Sequence, residues 1–140
     1  MEPGWLARIS IPLVLLLLLV HAGLAVWALL GLAEFAGPMP WGRLSNPLFP
    51  DWMLWAQWFA ILPTATVFLA GWALRWRRMP LALGFGYLAM GSICAWQTTH
   101  MLVHDGRWLD MAAEYLAYVL ILVFLHRASF VRDHLGMDRA

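Results

Sequence analysis

The chain has 140 residues, of which 63% are hydrophobic and 12% charged, with ten tryptophans, a formal net charge of +1 and a mean hydropathy of +0.71. That balance excludes a disordered chain and a water-soluble domain, and nine arginines scattered without a basic stripe exclude a nucleic-acid partner. The solvent such a chain requires is lipid, whose hydrocarbon core is crossed by about 20 helical residues.

Dividing the sequence at its charges predicts an all-α, four-helix membrane bundle forming one transmembrane domain over 1–140, with helices over 9–33, 52–74, 79–103 and 109–130 and an outer loop over 34–51. The first run follows Arg8 with 25 uncharged residues. It exceeds the usual apolar core of a secretory signal and lacks a clean small-residue cleavage site, so it reads as a retained anchor. His21 lies near its middle, where a polar side chain must face protein or a water-filled cavity. The next segment, "AGPMPWGRLSNPLFP" (36–50), carries four prolines and two glycines and reads as an ordered loop or re-entrant cap over the bundle.

In the second helix Gln57 precedes Thr64 by one heptad, so the two share a stripe. "RWRRMP" (75–80) is a tight basic turn in which Pro80 fits the first turn of the following helix, making helices two and three an antiparallel hairpin. Gln97, His100 and His104 have i, i+3, i+7 spacing, which predicts one polar face at the end of the third helix. Glu114 and Tyr118 add polar atoms on the fourth. The C-terminal "HRASFVRDHLGMDRA" reads as a short interfacial helix and tail.

Charge sets the expected orientation. With both termini cytoplasmic, Arg8, Arg75, Arg77, Arg78, Arg127, Arg132 and Arg139 fall inside and only Arg43 and Arg107 outside, a positive-inside bias. Glu34, Asp51, Asp105, Asp110 and Glu114 fall at the outer ends, with Glu2, Asp133 and Asp138 inside. The single Cys94 excludes an intramolecular disulfide. A bacterial cytoplasmic membrane, or its equivalent, is the expected location.

Polar groups inside a bilayer need internal partners, so His21, Gln57, Gln97, His100, Glu114 and Tyr118 are expected to converge on a pocket in the outer half of the bundle. Trp27, Trp58 and Trp96 lie deep enough to line it, whereas Trp41, Trp52, Trp55 and Trp108 suit the aromatic belt at the interface. Plainer readings stand beside these: His21 as a satisfied core histidine, Gln57 and Gln97 as interhelical glue contributing about 0.6–2 kcal/mol each, and His104 as an interfacial group. His100 and His104, with Asp105 or Glu114, form a weak alternative metal site. There is no H-E-x-x-H motif and no second histidine pair at the same depth, and a haem would need two facing axial ligands. No cofactor is expected.

"VHAGLAVW" (20–27), "NPLFPDW" leading into "QWFAILP" (57–63), the "RWRRMP" turn and "GSICAWQTTHMLVHDG" (91–106) resemble the four-helix EXPERA domain, the family of the emopamil-binding sterol isomerase and the sigma-2 receptor. The resemblance spans about residues 10–130 through spaced single positions. It implies a tryptophan-lined cavity for sterols or amphiphilic amines, and in the isomerase an acid and a base that shift a ring double bond through a cation. His21 matches the family's first-helix histidine, Trp27 its aromatic partner and His104 a histidine near the outer end. Ala25 and Gln57 stand where the family carries carboxylates.

Two outcomes fit that pattern: a site rewired with Glu114 or Asp105 reaching the cavity beside His100, with His21 and Glu114 as the candidate catalytic groups, or a pocket that binds a sterol-, isoprenoid- or lipid-like molecule without the chemistry. A different class is a small accessory subunit of a larger respiratory or photosynthetic membrane complex. A pocket-former turns Trp27, Trp58 and Trp96 inward; a subunit turns many tryptophans out. "GFGYLAMG" (84–91) offers small residues for a close helix contact, internal or across a homodimer.

Overall fold

The computed structural model describes residues 4–138, the side chains of 5–7 excepted. Five helices follow in order: α1 (Gly4–Ala33), α2 (Asp51–Ala73), α3 (Met79–His100), α4 (Arg107–Arg127) and the short α5 (Ser129–His134), with a 3-10 turn at Glu34–Ala36. The protein is all-α, and α1 to α4 are each long and apolar enough to cross a membrane.

Local chemistry sets the ends of these elements. Pro50, extended at φ −66° and ψ 158°, lets its carbonyl accept the amides of Met53 and Leu54 and so starts α2. At the other end Arg75 takes φ 52°, and the Trp76 amide reaches back to the Gly71 carbonyl at 2.8 Å to close the helix. Pro80 then sits in the first turn of α3, where its missing N–H costs nothing. Around Pro63, which deprives α2 of one backbone donor, the hydroxyls of Thr64 and Thr66 bond the carbonyls of Ala60 and Leu62 at 2.6 and 2.7 Å.

The four long helices pack as neighbours in chain order, α1 on α2, α2 on α3 and α3 on α4. The Cα atoms of α1 nowhere come within 8 Å of those of α3 or α4 among the described residues. Two apolar clusters fill the resulting arc. One, at the "RWRRMP" end, joins Val14 and Leu17 to Phe68, Met79, Leu83, Phe124 and Leu125. The other, at the loop end, joins Ala28, Phe49, Met53, Leu54, Trp58 and Ile61. Small residues allow the close approaches: the Trp58 indole lies against Gly31, Thr64 against Gly86, and Tyr115 against Gly91. The "GFGYLAMG" contacts of Gly86 and Gly91 are therefore internal.

Alternation of the helices gathers Arg8, Arg75, Arg77, Arg78, Arg127 and Arg132 at one end and Arg43 and Arg107 at the other; Glu2 and Arg139 lie outside the described residues. Two segments differ from the sequence expectation. The fourth helix stops at Arg127 because Ala128 is extended at ψ 118°, which turns α5 back under the bundle. There Ala128, Val131 and Leu135 are buried in the first cluster, and His134 stacks on Trp72 at 4.1 Å while its Nε2 donates to the Trp72 carbonyl at 3.0 Å. The C-terminal segment is thus a packed closure of that end.

The third helix also ends earlier than its polar spacing suggests. The amides of Met101 and Leu102 both turn onto the Gln97 carbonyl, and residues 101–106 form the connection to α4. His104 is therefore off the helix, and the predicted face of Gln97, His100 and His104 does not form.

Candidate functional site

Three helices bring uncharged or acidic polar groups to similar depth below the loop end. At 1.5 Å per residue, Gln57 lies roughly 9 Å from the start of α2, Gln97 roughly 5 Å from the end of α3, and Glu114 roughly 10 Å from the start of α4. The Gln97 Nε2 donates to Gln57 Oε1 at 2.8 Å, tying α3 to α2. The Tyr118 hydroxyl donates to Glu114 Oε1 one turn away on α4. Each pair satisfies part of its own hydrogen-bonding capacity and leaves the rest open.

Both pairs line one cavity of about 900 Å³. Its apolar walls come from Leu24 and Trp27 on α1, Trp58 and Ile61 on α2, and Met90 and Ile93 on α3. The loop residues from Arg43 to Pro47, together with Phe49, close it at one end. Trp58 is fully buried at 0% exposure, held by Gly31 on one side and edge-on to Trp27 at 5.0 Å on the other. Its indole Nε1 has no hydrogen-bond partner among the described residues. Cys94 lines the same cavity beside Glu114.

The loop is held over the cavity by Glu34. One carboxylate oxygen accepts the Leu44 amide, and both approach the Ser45 amide at 3.2 and 3.3 Å while the Ser45 hydroxyl donates to Oε2. Phe49 then inserts into the core beside Met53 and Leu54. A smaller cavity of about 490 Å³ beneath Pro38 and Met39 shares Arg43 and Ser45 with the larger one.

His21 sits elsewhere. It is 1% exposed, stacked on Phe68 at 4.0 Å, with Nδ1 2.7 Å from the Leu17 carbonyl and Nε2 2.8 Å from the Tyr87 hydroxyl. A carbonyl only accepts, so Nδ1 carries the proton and Nε2 of the neutral ring accepts from Tyr87. Tyr87 in turn stacks on Tyr118 at 4.4 Å; Tyr118 lines the cavity, and His21 and Tyr87 do not. Its ring nitrogens are both engaged, as in a satisfied core histidine.

His100 and Trp96 form a surface pair: the rings stack at 4.1 Å, Trp96 is 47% exposed, and His100 Nδ1 meets the Thr99 hydroxyl at 2.6 Å. His104 faces Asp110 at 3.8 Å, both well exposed. Among the described residues no three His, Cys, Asp or Glu side chains gather to hold a metal ion.

Of the sequence candidates, the structure brings together Trp27, Gln57, Trp58, Gln97, Glu114 and Tyr118, and leaves His21, Trp96, His100 and His104 outside. Tyr87 reads in the sequence as one more aromatic in an apolar run, and the cap expected over 36–50 did not name the residues at 43–49 that line the cavity. Cys94 was findable, since it lies one turn before Gln97 on the same stripe. No family model matches the chain, and no curated protein or solved structure matches it.

Proposed function

We propose that the protein binds a sterol-, isoprenoid- or lipid-like molecule in the cavity between its helices. The observation that carries this reading is the convergence of two polar pairs, Gln57–Gln97 and Tyr118–Glu114, on a cavity of about 900 Å³ with apolar and aromatic walls. Binding pockets for small molecules have this make-up: mostly apolar lining with a few polar groups that fix orientation. At about 30 Å³ per heavy atom, the share of a water molecule in the liquid, the space takes roughly 30 heavy atoms, the size of a sterol or a six-unit isoprenoid. The cavity takes lining residues from both α1 and α4, whose Cα atoms nowhere come within 8 Å of each other, which supports sideways entry of a ligand dissolved in the bilayer.

The EXPERA resemblance agrees with a tryptophan-walled lipid site, but the geometry favours binding over isomerisation. An alkene shift needs an acid and a base on one substrate. Glu114 lines the cavity, whereas His21 does not, and both its ring nitrogens are engaged, by the Leu17 carbonyl and the Tyr87 hydroxyl. The outward tryptophans support a second reading, the accessory subunit: Trp41, Trp52, Trp76, Trp96 and Trp108 are all exposed. The positive-inside distribution of arginine supports both termini on the cytoplasmic side.

The test is equilibrium binding of a tritiated sterol and a tritiated isoprenoid alcohol to the purified protein in lipid nanodiscs. Gln57→Ala is expected to weaken retention of at least one probe about tenfold, and His104→Ala to leave it unchanged. Equal effects of the two substitutions, or no saturable binding of either probe, would remove the pocket reading.

A further inference from the structure

The two polar pairs differ in what they offer, and that difference narrows the ligand. With Gln57 Oε1 occupied by Gln97, the Gln57 amide retains two N–H donors that have no acceptor among the described residues, and Gln97 keeps its second N–H and its own oxygen. Glu114 accepts from the Tyr118 hydroxyl at Oε1 and also meets the Cys94 thiol, and its carboxylate, with about four lone-pair sites when ionised, has room for one further donor. Gln57 sits on α2 and Glu114 on α4, helices whose Cα atoms nowhere come within 8 Å of each other, with α3 between them. The cavity therefore presents the Gln57 donors at one side and the Glu114 acceptor at the other, about equally far below the loop end, with Gln97 on α3 offering both kinds of group between them.

The walls between them are flat rings. Trp58 is fixed by Gly31 and Trp27, and Tyr118 is backed by the parallel ring of Tyr87, 13° from coplanar. Resting on the lipid-pocket reading, we infer that the cavity holds the ring of a prenylated quinol: a flat six-membered ring with hydroxyl oxygens on opposite edges and an apolar tail. One ring oxygen accepts from the Gln57 amide, and the hydroxyl on the opposite edge donates to the Glu114 carboxylate. The tail leaves between α1 and α4, whose Cα atoms nowhere come within 8 Å of each other, and stays in the bilayer. A monohydroxy lipid such as a sterol satisfies only one of the two sides, and the other is then left unmatched in a low-dielectric site. The inference concerns binding alone; no electron transfer is part of it.

The experiment measures quenching of tryptophan emission in nanodiscs by three probes: ubiquinol-2 kept reduced, cholesterol carrying a quenching label, and a prenylated monophenol with the same tail as ubiquinol-2. Empty nanodiscs titrated in parallel with a soluble tryptophan analogue correct for partitioning and absorption. Saturable binding of ubiquinol-2 at least tenfold tighter than the monophenol, with the advantage lost in both Gln57→Leu and Glu114→Gln, is the expected result. Glu114→Gln keeps the size of the side chain, and the comparison between ligands on the unaltered protein does not depend on how either variant folds. Equal binding of ubiquinol-2 and the monophenol overturns the two-oxygen site while leaving a lipid pocket standing. Absence of saturable binding by all three probes overturns the pocket and this inference together.

Discussion

His21 on α1 and Tyr87 on α3 are joined by a 2.8 Å hydrogen bond across two helices whose Cα atoms nowhere approach within 8 Å. Two long side chains thus span an interior that the backbones do not, and the Leu17 carbonyl and the Phe68 ring lock the imidazole in place. Tyr87→Phe keeps the ring stacked on Tyr118 and strips the partner from His21 Nε2. The expected loss is about 1 kcal/mol, between the average interhelical hydrogen bond in a membrane and the cost of a buried unsatisfied group. Unfolding in mixed micelles measures it, and a double-mutant cycle with His21→Phe should assign most of the loss to the pair.

Gly31→Ala is expected to destabilise the protein by about 1–3 kcal/mol, because the new methyl group would occupy the space of the Trp58 indole. Gly84→Ala serves as the comparison. Its Cβ would meet only Leu122, at 3.8 Å, so its melting temperature should match that of the unaltered chain or exceed it slightly. A Gly31→Ala protein as stable as Gly84→Ala would show that the indole is free to move.

These two contacts mark the limits of what sequence could reveal. Gln57, Gln97, Glu114 and Tyr118 were legible because a polar group in an apolar run must find an internal partner, and a small bundle offers few places for one. Tyr87 and Gly31 were not, since their roles depend on which ring lies opposite, and helical periodicity does not encode that. Residues 101–104 misled for a different reason. Nothing in "THMLVHDG" announces where the helix unwinds, so the i, i+3, i+7 spacing continued on paper past the point where the Gln97 carbonyl ends it.

Glu34→Ala should free the loop from the cavity mouth. The carboxylate receives the Leu44 and Ser45 amides and the Ser45 hydroxyl, and losing it removes about 1–2 kcal/mol of local stability. Hydrogen exchange at Leu44 and Ser45 is expected to accelerate roughly 5- to 30-fold, with exchange in the helical cores unchanged. Uniform acceleration throughout the chain would mean that Glu34 supports the whole fold rather than the loop.

Leu135→Ala probes the closure made by α5. Leu135 is 1% exposed in a cluster with Val14 and Phe124, so truncation should cost about 2 kcal/mol. His134→Ala, which removes the stack on Trp72 and the bond to its carbonyl, should cost less, about 1 kcal/mol. Thermal inactivation in detergent ranks the two, and a larger loss from His134→Ala would contradict the apolar closure.

The docking of α5 has a consequence for biogenesis. Ala128, Val131 and Leu135 are synthesised after all four membrane-crossing helices, yet they fill the same cluster as Val14 and Leu17 of the first. A nascent chain with every span already inserted still has an open seam at its arginine-rich end. Sealing of that end thus depends on residues that follow every long helix in the chain, and a chain lacking their docking would have its first cluster open on one side only.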